Sequence, residues 1–285
     1  MFPIADYIIL ATLFAGLRAT MAMGFSLIFG VSKIFYMTYG ALYMIGAYMT
    51  YVAISILDSS PLFAVLLALA VPTLIGVLSF RFLVFPKRKE ELTVVITTFA
   101  LASILEQTIR LTLTPYSRTV SPFFPGSTSI FGTIVGNQRL ASLGISFVAL
   151  ASLWVFIKRT RTGGAIRAVS ENEELARITG IDILRITLLV VAMGSFFAGL
   201  SGFLLSPLYP IEPHMGWIAL TEALTIVVLG GAGSIPGTVV GAIVVSFVEV
   251  LVGLTVSSSA AAIGTAVVLI LTLLLRPKGL FGAKL

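Results

Sequence analysis

Long apolar blocks separated by short charged segments dominate this sequence of 285 residues. Only 11% of the residues are charged, whereas about 25% are charged in an ordinary soluble domain. A helix of about 20 apolar residues is long enough to cross the ~30 Å hydrocarbon layer of a bilayer. The blocks therefore predict an all-α, polytopic membrane protein in a lipid bilayer. They exclude a soluble enzyme, a nucleic-acid-binding module and a disordered chain.

The charges that interrupt the apolar blocks divide the chain into about nine candidate crossings, a span length being about 20 residues. They are Tyr7–Gly30, Ile34–Leu57, Leu62–Phe85, Leu92–Leu113, Leu140–Ile157, Ile186–Leu205, Trp217–Leu229, Ile235–Leu254 and Ser259–Leu275. The short block Trp217–Leu229 either crosses fully or re-enters the same side. We expect one transmembrane domain over residues 1–285, with the loop 158–185 as its main polar element.

Lys and Arg residues set the expected orientation, because cytoplasmic loops hold the excess of positive charge. When the loop 158–185 is placed inside, most of the 18 Lys and Arg residues fall on the cytoplasmic side. The N-terminus is then outside and the C-terminus inside. Four spans precede Leu140–Ile157 and four follow the loop, which is the arrangement of an inverted repeat, a common transporter plan. The repeat has little direct support in the residues and stays open.

The loop 158–185 is the one polar region long enough to have structure of its own. Ser170 and Glu173 have the S-x-x-E spacing of a capping box, and Gly180 is placed as a C-cap. They predict a helix of about two to three turns, entered through Gly163-Gly164. Since such a short helix is marginal in water, it is either an ordinary loop helix held by its own bundle or a docking surface for a partner.

Four segments, taken together, resemble the permease family of branched-chain amino acid ABC importers. They are residues 40–48, the loop 158–185, residues 228–237 and residues 276–282. They occur in the family's order, so the resemblance covers nearly the whole chain. Within the loop, the matching residues are Gly164, Arg167, Ala168, Asn172, Ala176, Gly180 and Ile181.

The resemblance implies the permease fold and the role of a membrane-spanning subunit of an ABC importer for branched-chain or similar small apolar amino acids. Two permease chains, the same or related, would form the pathway in the plasma or inner membrane. Cytoplasmic P-loop ATPase subunits would dock on the loop, and an extracytoplasmic solute-binding protein would deliver the solute. The implied ATPase-coupling residues are Gly164, Arg167, Ala168, Asn172, Glu173, Ala176, Gly180 and Ile181.

Motifs for independent chemistry are missing from the sequence. No G-x-x-x-x-G-K-[ST] loop is present, so we expect this chain to be no enzyme, to hold no cofactor, and to rely on ATP bound by partner subunits. With no cysteine and one histidine, His214, we expect no metal site and a surface role for that imidazole. The glycine-rich stretch 230–237 lacks the third glycine of a dinucleotide loop and is predicted as a tight inner turn.

Two departures from the family pattern leave the solute open. The segment 36–40 reads Tyr-Met-Thr-Tyr-Gly where the family usually has an Asn-Phe-Ala-His-Gly type of segment. Arg18 stands where the family usually has a small or apolar residue. A permease for another small solute of the urea or amide type is therefore an alternative within the same class.

Interrupted helices expose backbone groups inside a membrane, so the broken regions 35–40 and 207–216 are the candidate solute path. Backbone N–H groups there could bind a carboxylate. The residues that we assign to the candidate translocation path are Tyr36, Tyr39, Gly40 and Glu249.

Charged residues within the predicted spans are functional candidates, because a charge in the bilayer is costly. Glu106 and Arg110 are four residues apart, which predicts a structural ion pair. Glu249 either lines the pathway or pairs with Arg18. Glu249 and Glu222 could instead drive an ion-coupled secondary transporter, which is the alternative from a different class. Small residues at 194, 198 and 202 predict close helix packing.

Overall fold

The structure is a computed structural model that describes residues 4–88, 90–113, 115–130, 132–255, 257–276 and 279–281. This part of the chain contains eleven α-helices and one two-stranded sheet. The helices are α1 (Ile4–Ser32), α2 (Thr38–Tyr51), α3 (Pro61–Ser79), α4 (Glu91–Thr112), α5 (Asn137–Arg159), α6 (Arg161–Glu171), α7 (Glu173–Ile178), α8 (Ile183–Leu205), α9 (Met215–Gly230), α10 (Ile235–Thr255) and α11 (Ser258–Leu275). The strands are β1 (Ser127–Ile130) and β2 (Thr133–Gly136).

Irregular helical turns lengthen two of these helices. A π-helical turn, Val52–Ile56, continues α2. A second π-helical turn, Phe80–Val84, and a 3₁₀ turn, Phe85–Lys87, continue α3. The first addition brings α2 to the 19 residues of Thr38–Ile56, a length that can cross a bilayer, whereas α3 has 19 residues without its extension.

Seven of the described helical stretches are long and apolar enough to cross a membrane, by length and composition. They comprise α1, α2, α3, α4, α5, α8 and α10, and two shorter apolar helices, Met215–Gly230 and Ile263–Leu275, complete the expected set. The prediction of an all-α, polytopic membrane fold is confirmed. At about 1.5 Å per residue, the 16 residues of α9 are shorter than the hydrocarbon layer, so a full crossing and a re-entrant segment both stay alternatives for Trp217–Leu229.

The two ends of the helix bundle differ in chemistry. At the end that we call the basic end, α6, α7, the α9–α10 turn and the α3–α4 corner meet. At the opposite end, which we call the hairpin end, lie β1, β2 and the segments that precede α5 and α9. Arg118 and Ile211 join these two segments through paired backbone hydrogen bonds of 2.9 and 2.7 Å.

Helices α1, α2 and α8 form the centre of the fold. α1 packs against α8 and α10, while α2 packs against α3, α8 and α9. In contrast, α3, α4 and α5 present large apolar side chains outward, for example Leu66, Leu92 and Phe147. Such side chains are expected where hydrocarbon, rather than water, surrounds the protein.

Glycines on α8 allow the central helices to approach closely, as the spacing of small residues predicts. A Cβ atom at Gly202 would lie 2.8 Å from the backbone nitrogen of Ala47 in α2, and one at Gly194 would lie 2.8 Å from the carbonyl oxygen of Gly24 in α1. These separations leave no room for a side chain. The small residues on α8 therefore serve as helix contacts.

The β1–β2 hairpin is an element that the sequence analysis did not predict. β1 and β2 pair antiparallel, with Ser127 opposite Gly136 and Ile130 opposite Thr133. The Gln138 side-chain oxygen accepts hydrogen bonds from the backbone N–H groups of Phe123 and Phe124, at 3.0 and 3.2 Å. This amide side chain therefore holds the approach to the hairpin against the start of α5.

Candidate functional site

The loop 158–185 folds into two short helices, α6 and α7, rather than the single helix that was predicted from Ser170. Thr160 caps α6, its hydroxyl accepting from Gly163 N–H at 2.9 Å. Asn172 caps α7, its side-chain oxygen accepting from Leu175 N–H at 3.0 Å. The predicted capping box at Ser170 and the predicted entry through Gly163-Gly164 are therefore wrong, because Gly163-Gly164 lie inside α6.

Ser170 does not cap α7 because its hydroxyl has another partner. It donates a hydrogen bond of 3.1 Å to the carbonyl oxygen of Gly30, near the end of α1. Asn172, which has an extended backbone (φ −153°), takes the capping role that Asn, Asp and Ser fill about equally well. As a result, Ser170 lies in the last turn of α6 rather than before a helix, and it connects α6 to α1.

α6 lies against the ends of the longer helices through one apolar face. Ile166 and Val169 are each 3% exposed, while Gly163 fits where a Cβ atom would lie 2.6 Å from the Cα of Ile157. Arg167 reaches back and donates to the carbonyl oxygen of Ile157, in the last turn of α5. These contacts fix α6 to α5 as well as to α1.

α7 is attached to the α3–α4 corner through charge. Glu173 lies 3.0 Å from the guanidinium of Arg88 and 2.9 Å from that of Arg177. Arg88 also stacks over the Phe85 ring, with 4.5 Å between its Cζ and the ring centroid. Because Arg88 belongs to the corner and Arg177 to α7 itself, Glu173 links the two elements.

The free face of α7 is apolar. Ala176 is buried, whereas Leu175 and Ile178 are 61% and 82% exposed. Leu175 and Ile178 are three residues apart in α7, so they share one side of the helix. A six-residue helix that buries one alanine and exposes two large apolar side chains is poorly stabilised by its own chain.

Gly180 ends α7 as expected. It has φ +83°, a conformation that glycine adopts without strain. Its N–H donates to the Arg177 carbonyl at 3.0 Å, and Ile181 N–H donates to the Ala176 carbonyl at 3.1 Å. These two bonds give the C-cap that the sequence predicted.

The residues assigned to ATPase coupling therefore lie within one continuous unit at the basic end. Gly164, Arg167 and Ala168 are in α6, Glu173 and Ala176 are in α7, and Asn172, Gly180 and Ile181 adjoin α7. Their role in coupling stays a prediction. Asp182 follows and caps α8 by accepting from Arg185 N–H at 3.1 Å.

The candidate path residues near the start of α2 are tightly packed. Tyr36 and Tyr39 are both 0% exposed. The Tyr36 hydroxyl shares a hydrogen bond of 2.7 Å with Ser79, and the Tyr39 hydroxyl donates to the Met21 carbonyl. The chain is interrupted between Ser32 and Thr38, as expected for this region, although helix α2 already begins at Thr38.

Gly40 joins the two predicted broken regions. A Cβ atom on Gly40 would lie 2.9 Å from the carbonyl carbon of Gly216, in the first turn of α9. A cavity of about 10 Å³ adjoins Gly40 and Gly216, which is space for about one water-sized probe. The assignment of Tyr36, Tyr39 and Gly40 to the solute path stays a prediction.

An ion network crosses between α1, α9 and α10. Arg18 lies 2.6 Å from Glu249 and 3.5 Å from Glu222, and a nitrogen of its guanidinium is 3.4 Å from the Ser246 hydroxyl. The structure thus shows the Arg18–Glu249 pair, one of the two roles considered for Glu249. Glu249 and Tyr209 also line a cavity of about 230 Å³ that extends from Arg18 toward the hairpin end.

Glu106 organises a second polar cluster, near the hairpin end. It accepts from Arg110 at 3.0 Å, so the expected ion pair is confirmed. It also accepts from the Trp217 indole N–H at 2.5 Å and lies 3.5 Å from His214 Nδ1. The His214 side chain is 66% exposed, which confirms its surface position, whereas the Trp217 bond joins α4 to α9 and has no local signal in the sequence.

The turn between α9 and α10 is tight, as predicted. Gly231 and Gly233 have φ +102° and +79°, and a Cβ atom at Gly233 would lie 3.0 Å from the Gly30 Cα. Residues 279–281 complete this turn, since Leu280 N–H and Phe281 N–H each donate at 2.9 Å to the last carbonyls of α9. Two segments that carry the family resemblance thus meet at the basic end.

The described residues contain no group of three or more His, Cys, Asp or Glu side chains that could hold a metal ion. The polar clusters at Arg18 and Glu106 are instead closed by ion pairs and hydrogen bonds between side chains. The arrangement is that of a helical membrane protein with paired internal charges and a separate pair of short helices, α6 and α7, at one end.

Comparison with curated proteins identifies several bacterial permeases as relatives. The permease protein LivH of the high-affinity branched-chain amino acid transport system of Salmonella typhimurium is 29% identical, over 93% of this chain and 91% of that protein. The corresponding protein BraD of Pseudomonas aeruginosa is 28% identical over the same shares. The ribose import permease protein RbsC of Escherichia coli is 33% identical, but over 48% of this chain and 44% of that protein.

A solved structure, PsaBC from Streptococcus pneumoniae in complex with Fab, has a chain of similar fold. Its TM-score is 0.56 at 11% sequence identity, covering 96% of this chain and 94% of that chain. At that identity the likeness concerns the fold alone. Residues 7–275 match the family described as the permease component of branched-chain amino acid transport systems. The length of that match shows that this multi-pass membrane protein belongs to the branched-chain amino acid transport permease family.

Proposed function

We propose that this chain is the membrane-spanning permease subunit of an ABC importer and that it translocates branched-chain or similar small apolar amino acids. The family match over residues 7–275 carries this proposal. The names of LivH and BraD, which align with nearly the whole chain, support the choice of solute. The chain itself is no enzyme and holds no cofactor in this proposal, and ATP is bound by partner subunits.

The basic end faces the cytoplasm in this proposal, with the C-terminus on the same side. The excess of Lys and Arg at that end supports this orientation. Cytoplasmic P-loop ATPase subunits dock there, a second permease subunit completes the pathway, and an extracytoplasmic binding protein delivers the solute at the hairpin end. The exposed Leu175 and Ile178 of α7 supply the apolar surface that a docked partner would cover.

The contacts of the α6–α7 unit suggest how a docked ATPase moves the spans. Ser170 connects the unit to α1, Arg167 connects it to α5, and Glu173 connects it to the α3–α4 corner. A displacement of the α6–α7 unit therefore reaches α1, α5 and the α3–α4 corner through directional contacts rather than through a flexible loop. We expect these links to tilt the attached helices when the ATPase subunits close.

Capture of the partners tests the docking role. A tagged chain is purified from its native membrane in mild detergent, and the bound proteins are identified by mass spectrometry. We expect a P-loop ATPase with the wild type and none with Leu175→Asp/Ile178→Asp. The matched control is Arg185→Gln, an exposed substitution outside α7. A folded wild type without an ATPase, or equal capture by the docking variant, would contradict the proposal.

Uptake assays test the solute and the path. Vesicles that contain the assembled importer should accumulate leucine on addition of ATP, and excess urea or acetamide should not compete. Gly40→Leu should abolish uptake while ATPase docking persists, because the side chain would enter the Gly40–Gly216 contact. Normal uptake by that variant would remove Gly40 from the path, and competition by urea would favour the amide-type alternative.

The ion-coupled alternative has less support from the contacts. Glu249 is already paired with Arg18 at 2.6 Å, and Glu222 shares the same guanidinium. A carboxylate that carries a coupling ion must exchange it during each cycle, and a fixed arginine competes for that position. Solute uptake that follows an imposed ion gradient without ATP would reverse this conclusion.

A further inference from the structure

A cavity of about 660 Å³ opens at the basic end, between α1, α5, α6 and the α9–α10 turn. Its size lies within the range of about 300–1,000 Å³ that is typical of small-molecule sites. The cavity is separate from the exposed face of α7, although Arg167 and Ser170 in its lining also link α6 to α5 and α1. It is a site without an assigned ligand.

The lining of this cavity changes from apolar to charged along its depth. Leu27 and Val31 of α1 form the buried wall, at 6% and 8% exposure. Lys158 and Arg167 supply positive charge, and Glu171 is the acidic residue in the lining. Hydroxyls of Ser170 and Ser234 add polar groups. The cavity thus combines an apolar wall with a positive excess, which suits an amphipathic anion.

The position of Trp154 and Lys158 connects the cavity to the lipid-facing surface. Trp154 is 45% exposed, and the Lys158 ammonium lies 4.7 Å from the centre of its ring. Val155 and Val148, on the same helix, present apolar side chains outward. Trp beside Lys at the end of a span is typical of the membrane interface, so the cavity adjoins the level of the lipid headgroups.

Arg167 is held at the cavity by a contact that leaves part of its guanidinium available. One terminal nitrogen donates to the Ile157 carbonyl at the end of α5. The planar group carries five N–H donors, so it can bind a phosphate while keeping this bond. Lys158, next to Ile157 in the last turn of α5, supplies a second positive charge at the same cavity.

We propose that an anionic phospholipid occupies this cavity, with its phosphate between Lys158 and Arg167 and its acyl chains along Trp154 and the outer face of α5. Basic pockets between helices on the cytoplasmic side are suited to such headgroups. The proposal rests on the proposed function for the side of the membrane and for the effect on coupling. Because the lipid would touch both α5 and α6, it would hold the docking unit against the spans.

Lipid retention tests the site without any transport measurement. The assembled importer is purified in mild detergent from membranes that contain phosphatidylglycerol, and bound lipid is counted by native mass spectrometry. Lys158→Gln should lower the retained phosphatidylglycerol about fivefold, the effect of one basic residue near an anionic surface. Lys158→Glu should lower it further. Arg159→Gln is the matched control, since Arg159 is the adjacent exposed cation and does not line the cavity.

Retention equal to wild type in both Lys158 variants, or an equal loss in the Arg159 control, would overturn the site.

Reconstitution distinguishes the source of the phosphate. Vesicles of phosphatidylcholine alone should support less transport per ATP than vesicles that also contain phosphatidylglycerol, with Lys158→Gln insensitive to this difference. If added inorganic phosphate restores coupling in the first vesicles, the ligand is a free anion and the lipid assignment fails. If the importer proves not to carry leucine, the retention result still stands, because it measures bound lipid and not transport.

Discussion

Two ion networks of opposite composition lie in different regions of this protein. Between α1, α9 and α10, one arginine, Arg18, contacts two glutamates, Glu222 and Glu249. At the basic end, one glutamate, Glu173, contacts two arginines, Arg88 and Arg177. The central side chain of the first network is 13% exposed, while that of the second is 45% exposed.

Burial rather than pairing distinguishes the two networks in energetic terms. Removing one partner of a buried ion pair leaves an uncompensated charge, which costs about 3–5 kcal/mol. An exposed pair contributes about 0–1 kcal/mol, because water and salt screen both charges. The Arg18 network should therefore decide whether α1, α9 and α10 stay together, whereas the Glu173 network should adjust the position of α7.

The largest effect is expected from Arg18→Leu, which leaves Glu222 and Glu249 without their cation. Thermal unfolding in detergent should show a loss of stability of about 3–5 kcal/mol, and the amount of folded protein in the membrane should fall. The triple variant Arg18→Leu/Glu222→Gln/Glu249→Gln should recover most of the stability, because it carries no unpaired charge. If Arg18→Leu unfolded at the same temperature as the wild type, the network would be hydrated rather than buried.

A smaller effect should separate the two glutamates. Arg18 lies 2.6 Å from Glu249 and 3.5 Å from Glu222. Glu249→Gln therefore removes the closer, hydrogen-bonded partner of the arginine. We expect it to lower the free energy of unfolding more than Glu222→Gln, by about 1 kcal/mol. Parallel melting curves of the two variants provide the measurement, and the reverse order would contradict the contact geometry.

At the basic end, Arg88→Glu should leave the fold intact and change coupling. Glu173 would lose its link to the α3–α4 corner and face a negative charge instead, at a cost of about 1 kcal/mol or less. Transport per ATP hydrolysed should fall in reconstituted vesicles, while ATPase capture persists. The exchange Arg88→Glu/Glu173→Arg should restore coupling in part, since Arg177 then lacks its own partner. Unchanged coupling in Arg88→Glu would rule out this link.

The smallest effect is expected from Arg177→Gln. Arg177 pairs with Glu173 within one helix, at a spacing of four residues, and such pairs contribute about 0.2–0.5 kcal/mol. High salt should reduce the difference from wild type further. Melting curves of both proteins at low and high salt would measure this difference in stability. A loss of stability comparable to that of Arg18→Leu would mean that α7 is more buried in the assembly than in the isolated chain.

Features with a local cause were predictable from the sequence. The charge-poor blocks predicted the long helices because span length and hydrocarbon thickness are directly related. Gly180 was identifiable because a left-handed C-cap favours glycine, and the Glu106–Arg110 pair followed from helical spacing. The tight turn at 230–237 was predicted for similar reasons.

Features that depend on distant parts of the chain were not predictable. Ser170 and Asn172 are both good N-cap residues, and only the Gly30 carbonyl, 140 positions away, decides between them. The bond from Trp217 to Glu106 spans 111 positions, and the contact of Arg18 with Ser246 spans 228. The sequence named Arg18 as a candidate partner for Glu249 but had no means to choose between that pair and a path-lining role.

The two tryptophans of the chain have very different surroundings, which gives the protein two built-in fluorescent reporters. Trp217 donates to a carboxylate at 2.5 Å and packs 5.2 Å from the Phe99 ring, so its emission responds to the hairpin end. Trp154 stands beside Lys158 at the cavity of about 660 Å³, so its emission responds to whatever fills that space. Replacing either indole by phenylalanine would let light report the two sides of the membrane separately, without a chemical label.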